Sequence, residues 1–289
     1  MLPEVLDYLA AKAGDRIFDG TLGAAGYTLA LAARVGSQGQ ITATDRDPAA
    51  IQNAKRLVEE SDLKNVQLIQ DNFKNIKTIV AEMLPAGTLF EGIVVDLGLS
   101  SAQLADNERG FSFQGERPLE MAFGPDGLET SEIIARYPLA DLTRIFRDYG
   151  EERFAYQIAK AIVEKRKRQP LKTTKDLVET ILSALPARFR ASRLNPATKV
   201  FQALRMESNQ ELSALQGFLP AALECLAPAG RLVVVSFHSG EDRIVKNFFR
   251  DHGRTDLSVL TKKPIGPTLA EITANPRARS AKLRAAQKR

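Results

Sequence analysis

Three acidic residues stand where an α/β protein places its chemistry. Asp19 ends the apolar run Arg16 to Asp19 and opens onto Gly20, Gly23 and Gly26; Asp45 follows the run Gln40 to Thr44; Asp96 ends Phe90 to Asp96, FEGIVVD. Glycines at that spacing let a backbone turn tightly beside a ligand. An acid one strand further on, about 20 residues along, can accept both hydroxyls of a ribose. Ligands of open parallel sheets sit beyond the carboxyl ends of the strands, so Asp96 points toward the reacting atoms. The Gly-x-x-Gly-x-x-Gly turn does not suit a dinucleotide, because Asp19 would repel a pyrophosphate. It suits S-adenosylmethionine, which has none. A plainer reading stays open: the glycines serve packing, and Asp45-Arg46-Asp47-Pro48 is a helix N-cap.

Other reactive groups narrow the chemistry. The sequence has no GxxxxGK[ST] phosphate loop, and His238, His252 and the single Cys225 have no metal-ligand spacing. Cys225 falls at core spacing inside a helical pattern, so it reads as packing. That argues against methyl transfer to carbon 5 of cytosine, which needs an attacking thiolate, and favours a nitrogen or oxygen acceptor. An exocyclic base amine is a poor nucleophile, since its lone pair is delocalised into the ring. A site that methylates it must accept a hydrogen bond from it, align it and exclude water. Asp96 is the candidate acceptor. In Ser236-Phe237-His238-Ser239, Phe237 can stack on a flipped base and His238 can hydrogen-bond it. The structural alternative makes Ser239 and Asp242 a capping box. Phe73, after the third strand, is placed to stack on an adenine or to fill the core.

Positioning those residues requires an interrupted α/β rhythm. The patterns predict strands over 16–19, 40–44, 66–70, 90–96 and 231–237, with two more near 257–262 and 280–286. Helices are expected over 3–13, from near 24 to 34, and over 48–60, 75–83, 131–136, 139–148, 152–168, 174–184, 209–225 and 241–251. Between 106 and 207 no strand is expected. The architecture is therefore an α/β domain of 1–105 and 208–289, split by a helical insertion over 106–207.

Bulk properties agree with a globular chain. Its 289 residues suffice for one large or two smaller domains, and no apolar run approaches membrane-span length. The acidic, amphipathic start does not read as a signal peptide, and one cysteine fits a reducing cytoplasm. Net charge is +5, but Arg153 to Arg205 carries 13 Lys/Arg against 3 Asp/Glu, and Asn275 to Arg289 carries 6 against none. Such segments suit an anionic polymer, although charge runs are often only solvated faces.

Taken together, the motifs exceed a generic fold. DGTLGAAGYT (Asp19 to Thr28), ATDRDP (Ala43 to Pro48), VDLGLSSAQL (Val95 to Leu104) and ERGFSF (Glu108 to Phe113) lead the series. YGEERFA (Tyr149 to Ala155), NPATKVFQALR (Asn195 to Arg205), RLVVVSFHSGEDRIVK (Arg231 to Lys246) and NPRARSAKLRAA (Asn275 to Ala286) complete it. The sequence resembles the RsmH (MraW) family: bacterial S-adenosylmethionine-dependent methyltransferases acting on the exocyclic N(4) of a cytidine in small-subunit ribosomal RNA. The resemblance implies a class I methyltransferase fold, Rossmann-like with a seven-stranded sheet, carrying a helical RNA-recognition insertion. It implies cofactor contacts at Ala25, Gly26, Tyr27, Asp45, Phe73, Asp96 and Gln103. Asp96 and His238 are the catalytic candidates, and Arg153, Lys199 and Arg205 the RNA-binding ones. Arg153 and Arg205 are equally placed to pair with Glu151 or Glu211. The implied setting is the cytoplasm, with ribosomal RNA in the small subunit as partner, no membrane and no metal; homodimerisation stays open.

Some positions depart from the family pattern. Ala25 replaces a usual glycine, Tyr27 a frequent histidine, Asn195 a histidine and Gly240 a leucine. Glu120 and Ala122 stand for Asp and Arg, and the His-containing segment that usually precedes LPEVL is not in the sequence. These departures motivate an alternative, a weakly active or inactive paralogue that binds RNA as a ribosome-assembly factor. A nicotinamide-dependent oxidoreductase is disfavoured by Asp19 and by the lack of a proton-relay pair.

Overall fold

The computed structural model describes residues 1–100, 103, 110–111, 116–125, 127–190 and 195–289. Two compact units emerge: Met1–Gly98 with Leu212–Arg289, and Leu99–Glu211. The second unit starts earlier and ends later than the expected insertion. The 105/106 boundary itself, the end of VDLGLSSAQL and much of ERGFSF lie outside the described residues.

Seven strands build the first unit: β1 Arg16–Asp19, β2 Gln40–Asp45, β3 Val66–Gln70, β4 Phe90–Asp96, β5 Leu226–Ser236, β6 Leu257–Val259 and β7 Lys282–Lys288. Their order is β3-β2-β1-β4-β5-β7-β6, parallel except where β7 runs antiparallel to β5 and β6. This is the expected seven-stranded sheet. Side chains alternate across it with the strand period of two. Phe18, Ile93, Val95, Leu232 and Val234 enter one buried layer, while Ile17, Ile41, Val94, Val233 and Val235 enter the other. Both faces are covered, which explains why the strands read as continuous apolar runs.

Helices α1 Leu2–Leu9, α2 Gly26–Val35, α3 Pro48–Glu60 and α4 Ile76–Met83 precede β4. In the second unit, α5 Thr130–Arg136, α6 Leu139–Asp148, α7 Ala155–Arg166, α8 Thr174–Ala184, α9 Ala187–Arg190 and α10 Thr198–Ser208 surround a separate core. Its centre holds Ile133, Phe146, Ile158, Leu177, Val200 and Leu204. A Thr173–Asp176 capping box starts α8. The chain then continues through α11 Glu211–Cys225, α12 Ser239–His252 and α13 Leu269–Ala274.

The sequence patterns miss α9, α10 and α13. Among them, α10 has Ala197 at its N-cap with no side-chain cap bond, so the cap position carries no composition signal. Strand β5 begins five positions before Arg231, at Leu226. A register shift between Phe90 and Gly92 and a left-handed Ala229, at φ +63°, absorb the Pro-Ala-Gly segment that reads as a break.

Candidate active site

The turn between β1 and α2 is tied from within. Asp19 is fully buried; its Oδ1 accepts the Thr21 amide at 3.1 Å and its Oδ2 the Thr28 hydroxyl at 2.7 Å. Burial pushes its carboxyl up to about 6 despite those two bonds. Asp19 is therefore a brace for the turn, and Thr21 and Thr28 are partners that the glycine pattern does not reveal. The Thr21 hydroxyl also accepts the Asp96 amide at 2.6 Å, joining the turn to the end of β4.

Gly20 is required by space. A methyl group there would lie 2.7 Å from Val95 Cγ1 and 2.8 Å from Phe73 Cβ. Gly23, at φ +49°, and Ala25, at φ +64° and ψ 14° immediately before α2, both take the left-handed conformation that favours glycine. Ala25 is buried and keeps this left-handed geometry although it is not glycine. Gly26 has φ outside the left-handed region and open space around a would-be Cβ, so neither sterics nor backbone demands glycine there.

Asp45 is half-buried at the end of β2. Its Oδ2 accepts the Gly23 amide at 2.9 Å and its Oδ1 the Asp47 amide at 2.9 Å. Asp47, with its Oδ1 on the Ala49 amide at 3.0 Å, caps α3 before Pro48. The N-cap within Asp45-Arg46-Asp47-Pro48 is thus Asp47, and Asp45 stands outside the cap. Each Asp45 oxygen keeps a lone pair for a hydroxyl. Burial raises its carboxyl above the ordinary range, opposed by the amides of Asp47 and Gly23.

Asp96 closes β4 with one carboxylate oxygen, Oδ1, buried and without a hydrogen-bond partner among the described residues. Burial pushes its carboxyl up to about 7; the Tyr27 hydroxyl favours its charged form, while the charges of Asp19 and Glu241 oppose it. Tyr27, half-buried, has its phenol raised well above the usual range by burial and by the Asp96 charge. A buried acceptor left empty is costly unless a ligand fills it. Phe73 is half-buried and meets Phe218 edge-on at 5.0 Å, so one side belongs to the core.

His238 occupies a different role from the one its neighbours suggest. It is itself the N-cap of α12: Nδ1 accepts the Glu241 amide at 3.3 Å, and Glu241 Oε2 returns to the His238 amide at 3.4 Å while also accepting the Phe237 amide at 2.9 Å. The capping box is His238–Glu241, one residue earlier than Ser239–Asp242. Asp242 instead pairs with Arg284 at 2.7 and 3.2 Å. The His238 imidazole is largely enclosed, with Nε2 3.0 Å from Glu241 Oε1.

The remaining candidates lie in the second unit. Gln103 exchanges hydrogen bonds with Ser100, Oε1 accepting the Ser100 amide at 3.0 Å and Ser100 Oγ accepting the Gln103 amide at 3.1 Å. Lys199 Nζ donates to the Glu151 carbonyl at 2.8 Å and is exposed. Arg205 gives both arms of its fork to Glu211, at 2.7 and 2.9 Å, in a largely buried pair. That fork is spoken for inside its own unit, so Arg205 is withdrawn as an RNA contact. Arg153 does not pair with Glu151; it is exposed, with its guanidinium 3.9 Å from the centre of the Phe189 ring. Among the described residues no acidic, histidine or cysteine cluster could hold a metal, and no helix is long and apolar enough to cross a membrane.

Residues 1–289 match the sequence profile of the MraW methylase family. The Ribosomal RNA small subunit methyltransferase H of Heliobacterium mobile is 42% identical over 305 aligned residues, covering 100% of this chain and 97% of that protein. The protein of the same name in Carboxydothermus hydrogenoformans is 41% identical, covering 100% and 96%. A candidate rRNA-methylase structure from Clostridium thermocellum aligns with a TM-score of 0.51 at 16% identity, over 100% of this chain and 97% of that one. A candidate methyltransferase from Streptococcus mutans in complex with SAH gives 0.50 at 14% identity, over 100% and 97%. At such identity these two structures bear on the fold alone, and the fold is the class I methyltransferase sheet.

Proposed function

The chain belongs to the MraW methylase family, and on that footing we propose that it methylates the exocyclic N(4) amine of a decoding-centre cytidine in small-subunit ribosomal RNA. It is an S-adenosylmethionine-dependent methyltransferase. Support for the acceptor comes above all from Asp96, whose buried Oδ1 has no hydrogen-bond partner among the described residues.

The residues present fit the cofactor. Asp45 offers carboxylate lone pairs to two ribose hydroxyls, Phe73 has a ring face outside the core for an adenine, and the turn at Gly23 to Tyr27 brings backbone close to a ligand. S-adenosylmethionine supplies an electrophilic methyl on a positively charged sulfur. Asp96 accepts a hydrogen bond from the amine, which turns the nitrogen lone pair out of the ring's conjugation and toward the methyl. With the cofactor bound, its methyl would pass to the nitrogen as the methyl–sulfur bond breaks, and the amine proton would go to the Asp96 carboxylate. A carboxyl pushed to about 7 is partly ionised at neutral pH and well matched to that proton. Tyr27 and the Thr21 hydroxyl position Asp96; Asp19 holds the turn.

RNA contacts are proposed at Arg153 and Lys199, in the cytoplasm and with the small subunit as the setting. His238 serves as a helix cap in this account and lends the reacting base no proton. Methyl label transferred to subunits lacking the modification, followed by nucleoside digestion and mass spectrometry, tests the reading. N(4)-methylcytidine is expected; label on any other nucleoside overturns it. The strained Ala25 favours one competing reading, an assembly factor without turnover. RNA binding with no methyl transfer would identify it.

A further inference from the structure

The basic second unit carries a surface cluster that the methyl-transfer chemistry does not use. Arg153, just before α7, lies 4.6 Å from the ring centre of Phe154 and 3.9 Å from that of Phe189 on α9. Arg188 approaches the same Phe189 ring at 4.9 Å, and the two rings lie 5.1 Å apart at 49°. Both arginines are exposed and both rings half-buried. Among the described residues neither arginine has a carboxylate within ion-pair distance, while Arg144, Arg147 and Arg205 of the same unit do. Two uncompensated cations converging on one ring repel each other, at a cost that an anion would remove. The rings hold the Arg153 guanidinium in a fixed plane, and its outer face and N–H donors remain available.

Resting on the RNA-methyltransferase reading above, we propose that Arg153, Arg188 and Phe189 form a stacking clamp for an unpaired nucleotide of the RNA substrate. The base lies on the guanidinium plane, and its phosphate takes the arginine N–H groups. A duplex cannot use the clamp, because its base faces are already stacked. The partner is therefore a single-stranded segment, and the clamp differs from a general phosphate-binding face.

Binding of a short single-stranded RNA and of an RNA duplex of equal length to the full chain tests this. Arg153→Ala and Arg188→Ala are each expected to weaken single-strand binding about tenfold, with the duplex shifted less than about twofold. Arg153→Lys keeps the charge and loses the plane, so it should stay several-fold weaker than wild type. Unchanged melting temperatures establish that these exposed substitutions leave the fold intact. In turnover the alanine variants should raise KM for RNA and spare kcat. Full rescue by lysine, equal losses on single strand and duplex, or no loss at all would each overturn the clamp. If wild type yields no N(4)-methylcytidine while the single-strand pattern holds, the acceptor assignment fails and the clamp stands.

Discussion

At Asp96 the protein keeps a carboxylate in surroundings that disfavour its charge. Its pKa, about 7 when folded, lies above the ordinary value of 3.8, so the folded state holds the extra proton between those values. Stability must then fall as pH rises through that window and level off above it. Asp19, pushed to about 6, acts in the same direction. Asp96→Asn removes the buried charge, and its stability advantage over wild type should grow by about 2 kcal/mol between pH 5 and pH 8. Urea melts at the two pH values measure this, and an advantage that shrinks with pH contradicts the raised pKa. Asp45→Ala deletes both hydroxyl acceptors and should weaken S-adenosylmethionine binding by at least about tenfold in calorimetry, since charge-assisted bonds contribute about 1.5–3 kcal/mol. Unchanged affinity would remove Asp45 from the cofactor site. Asp45 and Asp96 were both legible in the sequence, because strand ends are marked by the close of an apolar run. Thr21 and Thr28 were not: their hydroxyls matter through contacts made only when β4 and α2 come together.

Elements show where local signals suffice and where packing decides. Strand β4 and helices α3, α6 and α8 follow their patterns to the residue, since period and end signals agree there. The start of α12 does not, because histidine is an uncommon cap and the Ser239–Asp242 pair mimics the common one. Glu241→Ala removes the carboxylate that accepts the Phe237 amide and should cost about 1–2 kcal/mol of stability. A thermal melt equal to wild type would show the box to be idle. Before α2, Ala25→Gly relieves a left-handed alanine and should stabilise the protein by up to about 1 kcal/mol. Destabilisation there would mean that the Ala25 methyl contributes packing that outweighs its strain.

For the whole molecule, the split into two units was legible from the loss of the strand period after β4, whereas its boundaries were not. They depend on which residues pack against which core, and Leu99 joins the second core without a local mark. Likewise the sequence shows how basic 153–205 is but not which cations are spent internally. Arg205 is held by Glu211 and Arg153 is not held by any acid among the described residues. RNA affinity should fall steeply with salt, because phosphate neutralisation releases counterions.

If Asp96 Oδ1 receives the cytidine amine, the charge state of Asp96 sets the rate of methyl transfer. The most direct test is single-turnover methyl transfer to unmodified small subunits across pH, read as N(4)-methylcytidine, for wild type and Asp96→Asn with cofactor saturating. The wild-type rate should rise with pH through about 7, and the variant should be slower by at least about a hundredfold. A variant that binds S-adenosylmethionine and transfers methyl at the wild-type rate would contradict it.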